Sequence, residues 1–160
     1  MKPLYLVILI GCVLVGGGLI AWSFLGGSPA GASKLASRAL TASEESERIK
    51  AVVGLTMIKE FREAVPQLRH VAKETQDPEV LVIALGRLSS FSDTESLPLF
   101  FTGLDHPDKK VRTTAFEAVK KFNNNSLPDK LKYNVDDPPA KRALVARRLQ
   151  ELHDNPPPIP

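Results

Sequence analysis

The chain has 160 residues, a single cysteine and a formal charge of +3, so it is long enough for one domain with a short appendage. Because Cys12 is the only cysteine, a disulfide within the chain is excluded in any compartment. Twenty of the 21 Lys and Arg residues and all 18 Asp and Glu residues lie from Lys34 onward. The positive and negative charges of this part of the chain nearly cancel. This argues against a domain that binds nucleic acid, because such domains usually carry a strong excess of basic residues.

Residues 4–25, "LYLVILIGCVLVGGGLIAWSFL", contain no charged side chain and follow a short lead, residues 1–3. As a helix this segment would extend roughly 33 Å, enough to cross the core of a bilayer. A secretory signal cleaved after Ala32 and a lipoprotein signal ending at Cys12 are alternatives, but the apolar run is longer than either of them needs. An uncleaved, single-pass transmembrane anchor fits the length best.

The charges that flank the apolar segment bear on its orientation. Lys2 directly precedes the segment, whereas Lys34 and Arg38 follow it at a greater distance. A short basic lead usually stays cytoplasmic, which favours an extracytoplasmic domain in the membrane-anchored protein. A cleaved leader would instead leave the domain secreted or periplasmic. The small residues of "GGSPAGAS" are typical of a linker, and they predict a flexible tether over residues 26–42.

Signals that start helices follow the tether. Thr41–Glu44 has the form of a capping box, and Asp77–Glu79 combines a capping oxygen, a first-turn proline and an acidic residue. The same device occurs at His106–Asp108 and at Asp136–Pro139. Strand signals are scarce, so the sequence predicts an all-α domain over residues 43–153.

A pair of helices is repeated along the chain. Four apolar positions of one helix recur 31 positions further on: Val80, Ala84, Leu88 and Phe91 correspond to Val111, Ala115, Val119 and Phe122. Glu63–Pro66 and Glu95–Pro98 are predicted to open the first helix of each pair, with the proline in the first turn. One pair cannot bury its apolar face alone, so the pairs are expected to stack. The basic last helix, "AKRALVARRLQEL", is predicted to cap the stack, and residues 154–160 are predicted to be disordered or polyproline II.

Two stretches, "EAVPQLRHVAKETQDPEVLVIALGRL" and "ESLPLFFTGLDHPDKKVRTTAFEAV", resemble HEAT repeats of the short kind found in PBS-lyase-type proteins. That pattern has Glu-Ala-x-Pro at the start of the first helix and Asp-Pro-x-x-x-Val-Arg at the start of the second. Val111 and Arg112 match the Val-Arg pair, whereas Leu81 replaces the arginine in the other copy. The resemblance covers Glu63–Phe122 most clearly. It implies a short HEAT-like α-solenoid, here behind an N-terminal transmembrane helix.

The sequence offers few groups for catalysis. His70 and Glu74 share a helix face, but no third metal ligand has a suitable spacing. Cys12 falls in the apolar segment, and there is no serine-nucleophile motif, phosphate-binding loop or paired-histidine zinc motif. The basic clusters are not interleaved with aromatic residues. We therefore predict that the protein is not an enzyme, binds no metal or cofactor, and has no nucleic-acid partner.

The predicted function is that of a non-catalytic adaptor or scaffold for a protein partner, in or beside a membrane complex. A solenoid offers an extended surface rather than a pocket. Six residues on the turn side of the repeats are the predicted partner-binding residues: Arg69, Lys73, Asp108, Lys109, Lys110 and Arg112. In HEAT-like repeats the arginine that corresponds to Arg112 often pairs with a neighbouring turn. A structural role within the stack is therefore a second interpretation of Arg112. The resemblance also implies an alternative function, a lyase or chaperone for bilin, a tetrapyrrole.

Overall fold

The computed structural model of the protein describes residues 29–123, 127 and 131–156. This part of the chain is all-α, as predicted, with seven α-helices, one short 3-10 helix and no strand among the described residues. The helices are α1 (Pro29–Thr41), α2 (Glu45–Thr56), α3 (Phe61–Glu74), α4 (Pro78–Ser90), α5 (Leu97–Gly103), α6 (Lys109–Phe122) and α7 (Pro139–Asp154), with the 3-10 helix at Thr94–Ser96.

The predicted lead and the predicted anchor at residues 4–25 lie outside the described part of the chain, as do residues 157–160 of the tail. In the part that the structure describes, no helix is both long enough and apolar enough to cross a bilayer. Membrane anchoring therefore stays a prediction from the sequence.

The prediction of a flexible tether over residues 26–42 is wrong from Pro29 onward, because residues 29–41 form α1. Ala32, Ala36 and Ala39 lie on one face of α1 and are at most 1% exposed. Alanine has the highest helix propensity, and its small side chain lets neighbouring helices approach closely. The small residues that suggested a linker therefore belong to a packed helix.

The helix start predicted at Asp77–Glu79 is confirmed, whereas the prediction at His106–Asp108 is wrong in its register, because Pro107 precedes α6 and Asp108 is the capping residue. Asp77 and Asp108 each accept hydrogen bonds from the backbone N–H groups two and three residues further on, which caps α4 and α6. The capping box predicted at Thr41–Glu44 is wrong, because α2 begins at the next residue without a side-chain cap. The cap predicted before α7 is also wrong, since Pro138 occupies the capping position and has no side-chain acceptor.

The two prolines that were expected in first turns differ in their placement. Pro98 is the second residue of α5, as predicted. The prediction for Pro66 is wrong, because α3 begins at Phe61 and Pro66 is its sixth residue. A proline at that position lacks the N–H group that would bond to the carbonyl of the preceding turn. Helix α3 therefore forms against this local cost, with its inner face buried by its neighbours.

The helices pack in two rows. Each of the pairs α1–α2, α3–α4 and α5–α6 is in contact within itself. In one row α1 contacts α3 and α5 contacts α7, and in the other row α2 contacts α4 and α4 contacts α6. The buried apolar side chains form a single cluster, and the largest fully buried side chain is that of Phe100 on α5. The core is therefore continuous from the first pair to the last.

Residues 131–138, which precede α7, close the stack without forming a helix. The ring of Tyr133 lies 4.9 Å from that of Phe116 on α6, and its hydroxyl donates to the carbonyl of Leu104 at 2.6 Å. Burial raises the pKa of Tyr133 to about 12, so the phenol keeps its proton at neutral pH. Helix α7 follows, with Val145 and Leu149 buried, and it contacts α5.

Helices α5 and α6 approach each other closely at Gly103. A methyl group on Gly103 would lie 2.8 Å from Cβ of Ala115. We expect Gly103→Ala to lower the free energy of unfolding by about 2 kcal/mol, because overpacking outweighs the higher helix propensity of alanine. Urea denaturation followed by circular dichroism measures the change.

Gly86 in α4 provides the control for this substitution. A methyl group there meets nothing within 4 Å. Gly86→Ala is expected to raise the free energy of unfolding by up to about 1 kcal/mol through helix propensity alone. The same response to both substitutions would contradict the close contact at Gly103.

Candidate protein-binding surface at the interhelix turns

One turn joins the two helices of each pair, and the three turns lie side by side on one edge of the stack. They are residues Ala42–Glu44, Thr75–Asp77 and Leu104–Asp108. Residues of all three turns border a single open groove of about 580 Å³. We call these turns, together with the first turn of the helix that follows each of them, the turn edge.

An arginine ties the first turn to the second. Arg48 is the fourth residue of α2, and its Nη1 donates to the carbonyls of Ala42 and Ser43, each at 3.0 Å. Its Nε donates to Oδ2 of Asp77 at 3.0 Å, while Oδ1 of the same carboxylate caps α4. Arg48 therefore satisfies the carbonyls of its own turn and connects the first helix pair to the second.

Arg112 makes the equivalent contacts in the third pair. It is the fourth residue of α6, and its Nη1 donates to the carbonyls of His106 and Pro107 at 2.9 and 2.6 Å. Its Nε donates to the carbonyl of Val135 at 2.7 Å. The residue is only 8% exposed. These contacts agree with the interpretation of Arg112 as a residue that serves the stack, and they leave its guanidinium unavailable as a partner-binding group.

Arg142 repeats the arrangement at the fourth position of α7. Its Nη1 donates to the carbonyl of Asp137, and its Nε lies 3.4 Å from Oδ1 of Asp105. Sequence reasoning missed the roles of Arg48 and Arg142. The available signal was their shared place as the fourth residue of a helix, where α4 has Leu81 instead.

Exposed ion pairs cross from unit to unit along the same edge. Lys110 of α6 pairs with Glu79 of α4, and Lys109 pairs with Asp136 at 2.8 Å. The hydrogen bond to Glu79 and the charge of that carboxylate raise the pKa of Lys110, so it stays charged at neutral pH. Exposed pairs of this kind contribute little stability, because water screens them and ordering the side chains costs entropy. A partner can therefore displace them at low cost.

The groove on the turn edge has an uneven charge. Glu45 and Glu74 line it, are exposed, and have no ion-pair partner among the described residues. Asp77 and Glu79 also line it, but their charges are balanced by arginine and lysine side chains. The turn edge is thus acidic beside the first two turns, whereas exposed lysines stand at the start of α6.

The structure brings together only part of the predicted site. Asp108 lines the groove, and Lys109 and Lys110 lie next to it in sequence. Lys73 is exposed in the last turn of α3. Arg69 is engaged elsewhere, because its Nε lies 3.0 Å from Oδ2 of Asp93, in the loop between α4 and α5.

The turn edge presents charged side chains around an open groove. Among the described residues, no group of three or more His, Cys, Asp and Glu side chains is placed to hold a metal ion. Comparison with known proteins finds no protein-family model, no curated protein and no solved structure that matches the chain.

Proposed function

We propose that this protein is a membrane-anchored, non-catalytic scaffold, a short HEAT-like α-solenoid that binds a protein partner in a membrane complex through its turn edge. Residues 4–25 provide the single-pass anchor in this proposal, and the helical domain is extracytoplasmic. The observation that carries the proposal is the groove across three successive turns, since a surface built from repeated units suits an extended partner.

The arrangement of the helices supports the solenoid. Three helix pairs follow one another in chain order. Corresponding helices of the first and second pairs are in contact in both rows, and those of the second and third pairs are in contact in one row, through α4 and α6. Side chains from one pair bond to groups of the next at repeat-like intervals, as in Arg48 with Asp77 and Lys121 with the carbonyl of Ser89. Stacking of this kind is how repeat proteins bury an apolar face that one pair leaves open.

The charges of the turn edge indicate the chemistry of the partner. Glu45 and Glu74 favour a basic or amide-rich segment beside the first two turns. Lys109 and Lys110 favour a carboxylate beside the third. A partner segment with a basic part beside the first two turns and an acidic part beside the third would make favourable contacts at both ends of the turn edge. The order of charge along the turn edge is therefore expected to set the direction in which the partner binds.

Charge reversal at the basic end tests the proposal. We expect the double variant Lys109→Glu/Lys110→Glu to capture the partner more than tenfold less well, because two favourable contacts become repulsive. Its melting temperature is expected to change by no more than about 2 °C, since both lysines are exposed. The partner is first identified by proximity labelling from the helical domain in its native membrane, and capture is then measured with the purified pair.

A second double variant on the same helix provides the control. Lys120→Glu/Lys121→Glu makes the same change of net charge at the other end of α6, away from the turn edge. It is expected to retain capture, and its melting temperature is measured beside it because Lys121 also donates to the carbonyl of Ser89. Native levels of capture by the Lys109/Lys110 variant, or equal losses in both variants, would count against the turn edge as the binding surface.

A further inference from the structure

The helical domain begins very close to the apolar segment. Helix α1 starts at Pro29, only four residues beyond Leu25. Four residues span at most about 14 Å even when fully extended. If residues 4–25 cross a membrane, as the proposed function requires, α1 is held within that distance of the headgroups. Because residues 29–41 form a helix rather than a flexible tether, a defined surface lies next to the membrane.

The charge of the chain is distributed to match such a surface. The first acidic residue is Glu44, so the residues before it carry only the positive charges of Lys2, Lys34 and Arg38. All 18 acidic residues follow, together with the other 18 of the 21 Lys and Arg residues. The net charge of +3 is therefore accounted for by three residues, Lys2 just before the apolar segment and Lys34 and Arg38 on α1.

The outward face of α1 presents these cations to solvent. Its inward face is buried against α2 and α3 through three alanines. Lys34 is exposed, and the side chain of Arg38 is 60% exposed although it pairs with Glu47. The outward face lacks large apolar side chains, so it has nothing to insert into the acyl region. Six of its residues line an open depression of about 700 Å³: Ala30, Ser33, Lys34, Ser37, Arg38 and Thr41.

We propose that the outward face of α1 lies on the surface of the membrane that holds residues 4–25, with Lys34 and Arg38 in contact with the phosphates of anionic lipids. On a leaflet that contains anionic lipid each cation favours the docked state by up to about fivefold, so the two together favour it by at most about 25-fold, since Arg38 also gives up its pair with Glu47. The short connection supplies a high effective concentration of membrane surface, which makes this modest attraction sufficient. The domain is thereby held in one orientation, with α7 at the far end of the stack.

The proposal is tested on the full chain in lipid vesicles. Nitroxide labels are placed singly at Ser37→Cys on α1 or at Glu151→Cys on α7, both in a Cys12→Ser background. The vesicles contain phosphatidylcholine with or without phosphatidylglycerol, and a nickel-chelating lipid in each. With anionic lipid we expect nickel to relax the label at position 37 at least fivefold more than the label at position 151. We expect this difference to fall severalfold without anionic lipid.

Neutral substitutions separate charge from the length of the connection. Lys34→Gln/Arg38→Gln is expected to reduce the relaxation at position 37 on anionic vesicles to the level seen on phosphatidylcholine alone. The matched variant Lys120→Gln/Lys121→Gln is expected to leave it unchanged. Persistent strong relaxation in a folded Lys34/Arg38 variant would overturn the role of the two cations.

Flotation of the vesicles distinguishes this inference from the proposed function on which it rests. A chain that fails to float with vesicles of either composition would overturn the membrane anchor and the docked helix together. A chain that floats, but in which positions 37 and 151 are relaxed equally, would overturn the docked helix and leave the anchor standing.

Discussion

Phe100→Ala is expected to lower the free energy of unfolding by about 4 kcal/mol, the largest effect of any single substitution considered for this protein. Phe100 is fully buried, and its ring centroid lies 5.8 Å from that of Phe122. It belongs to α5, which has only seven residues and depends on its aromatic side chains for contact with the core. Removal of the ring would leave a cavity in the core beside Phe122 of α6.

The loss is measured by urea denaturation followed by the helical circular dichroism signal. Leu144→Ala on α7 is the control, because its side chain is 64% exposed, and it is expected to change the free energy of unfolding by less than about 0.5 kcal/mol. Similar small changes for both substitutions would show that α5 is not docked in the core as described.

Arg112→Ala is expected to lower the free energy of unfolding by about 3 kcal/mol. The guanidinium donates to three backbone carbonyls, two in the turn before α6 and one at Val135 in the segment that closes the stack. Hydrogen bonds from a charged group are stronger than neutral ones, so the loss of all three is costly. We expect the closing segment to become more mobile at the same time, which faster amide exchange in residues 131–137 would show.

Two comparisons sharpen the test of Arg112. Lys110→Ala in the same turn of α6 is expected to change the midpoint of unfolding very little, since that side chain is exposed. Arg112→Leu copies the residue found at the equivalent position of α4, Leu81, and we expect it to be nearly as destabilising as alanine, because the three carbonyls stay unpaired. An Arg112→Ala protein as stable as the Lys110→Ala protein would contradict the structural role of this arginine.

The repeat predicted much of the architecture because it combines two kinds of local signal. Asp77 and Asp108 cap helices through contacts with their own neighbours in sequence, so their roles follow from local pattern. The apolar positions 31 residues apart predicted helices that α4 and α6 confirm, and these helices pack against each other. Local chemistry and stacking therefore agree in the central part of the chain.

The first helix and the surface charges were less predictable, for different physical reasons. Alanine, serine and glycine occur both in linkers and in closely packed helices, so only burial against α2 and α3 identifies α1 as a helix. The pairing of Lys110 with Glu79 depends on the rotation between successive helix pairs, which no local pattern specifies. Arg48 was missed because Leu81 interrupts the series of arginines that would have revealed it.

Amide hydrogen exchange of the full chain, followed by mass spectrometry, tests the central claim most directly, namely that the helices from α1 onward form one continuous stack. Residues 29–41 are expected to exchange at least a hundredfold more slowly than an unfolded chain, with protection close to that of residues 45–56. Exchange of residues 29–41 at the unfolded rate, while the later helices stay protected, would contradict the account, because α1 would then be a linker and its surface would not exist.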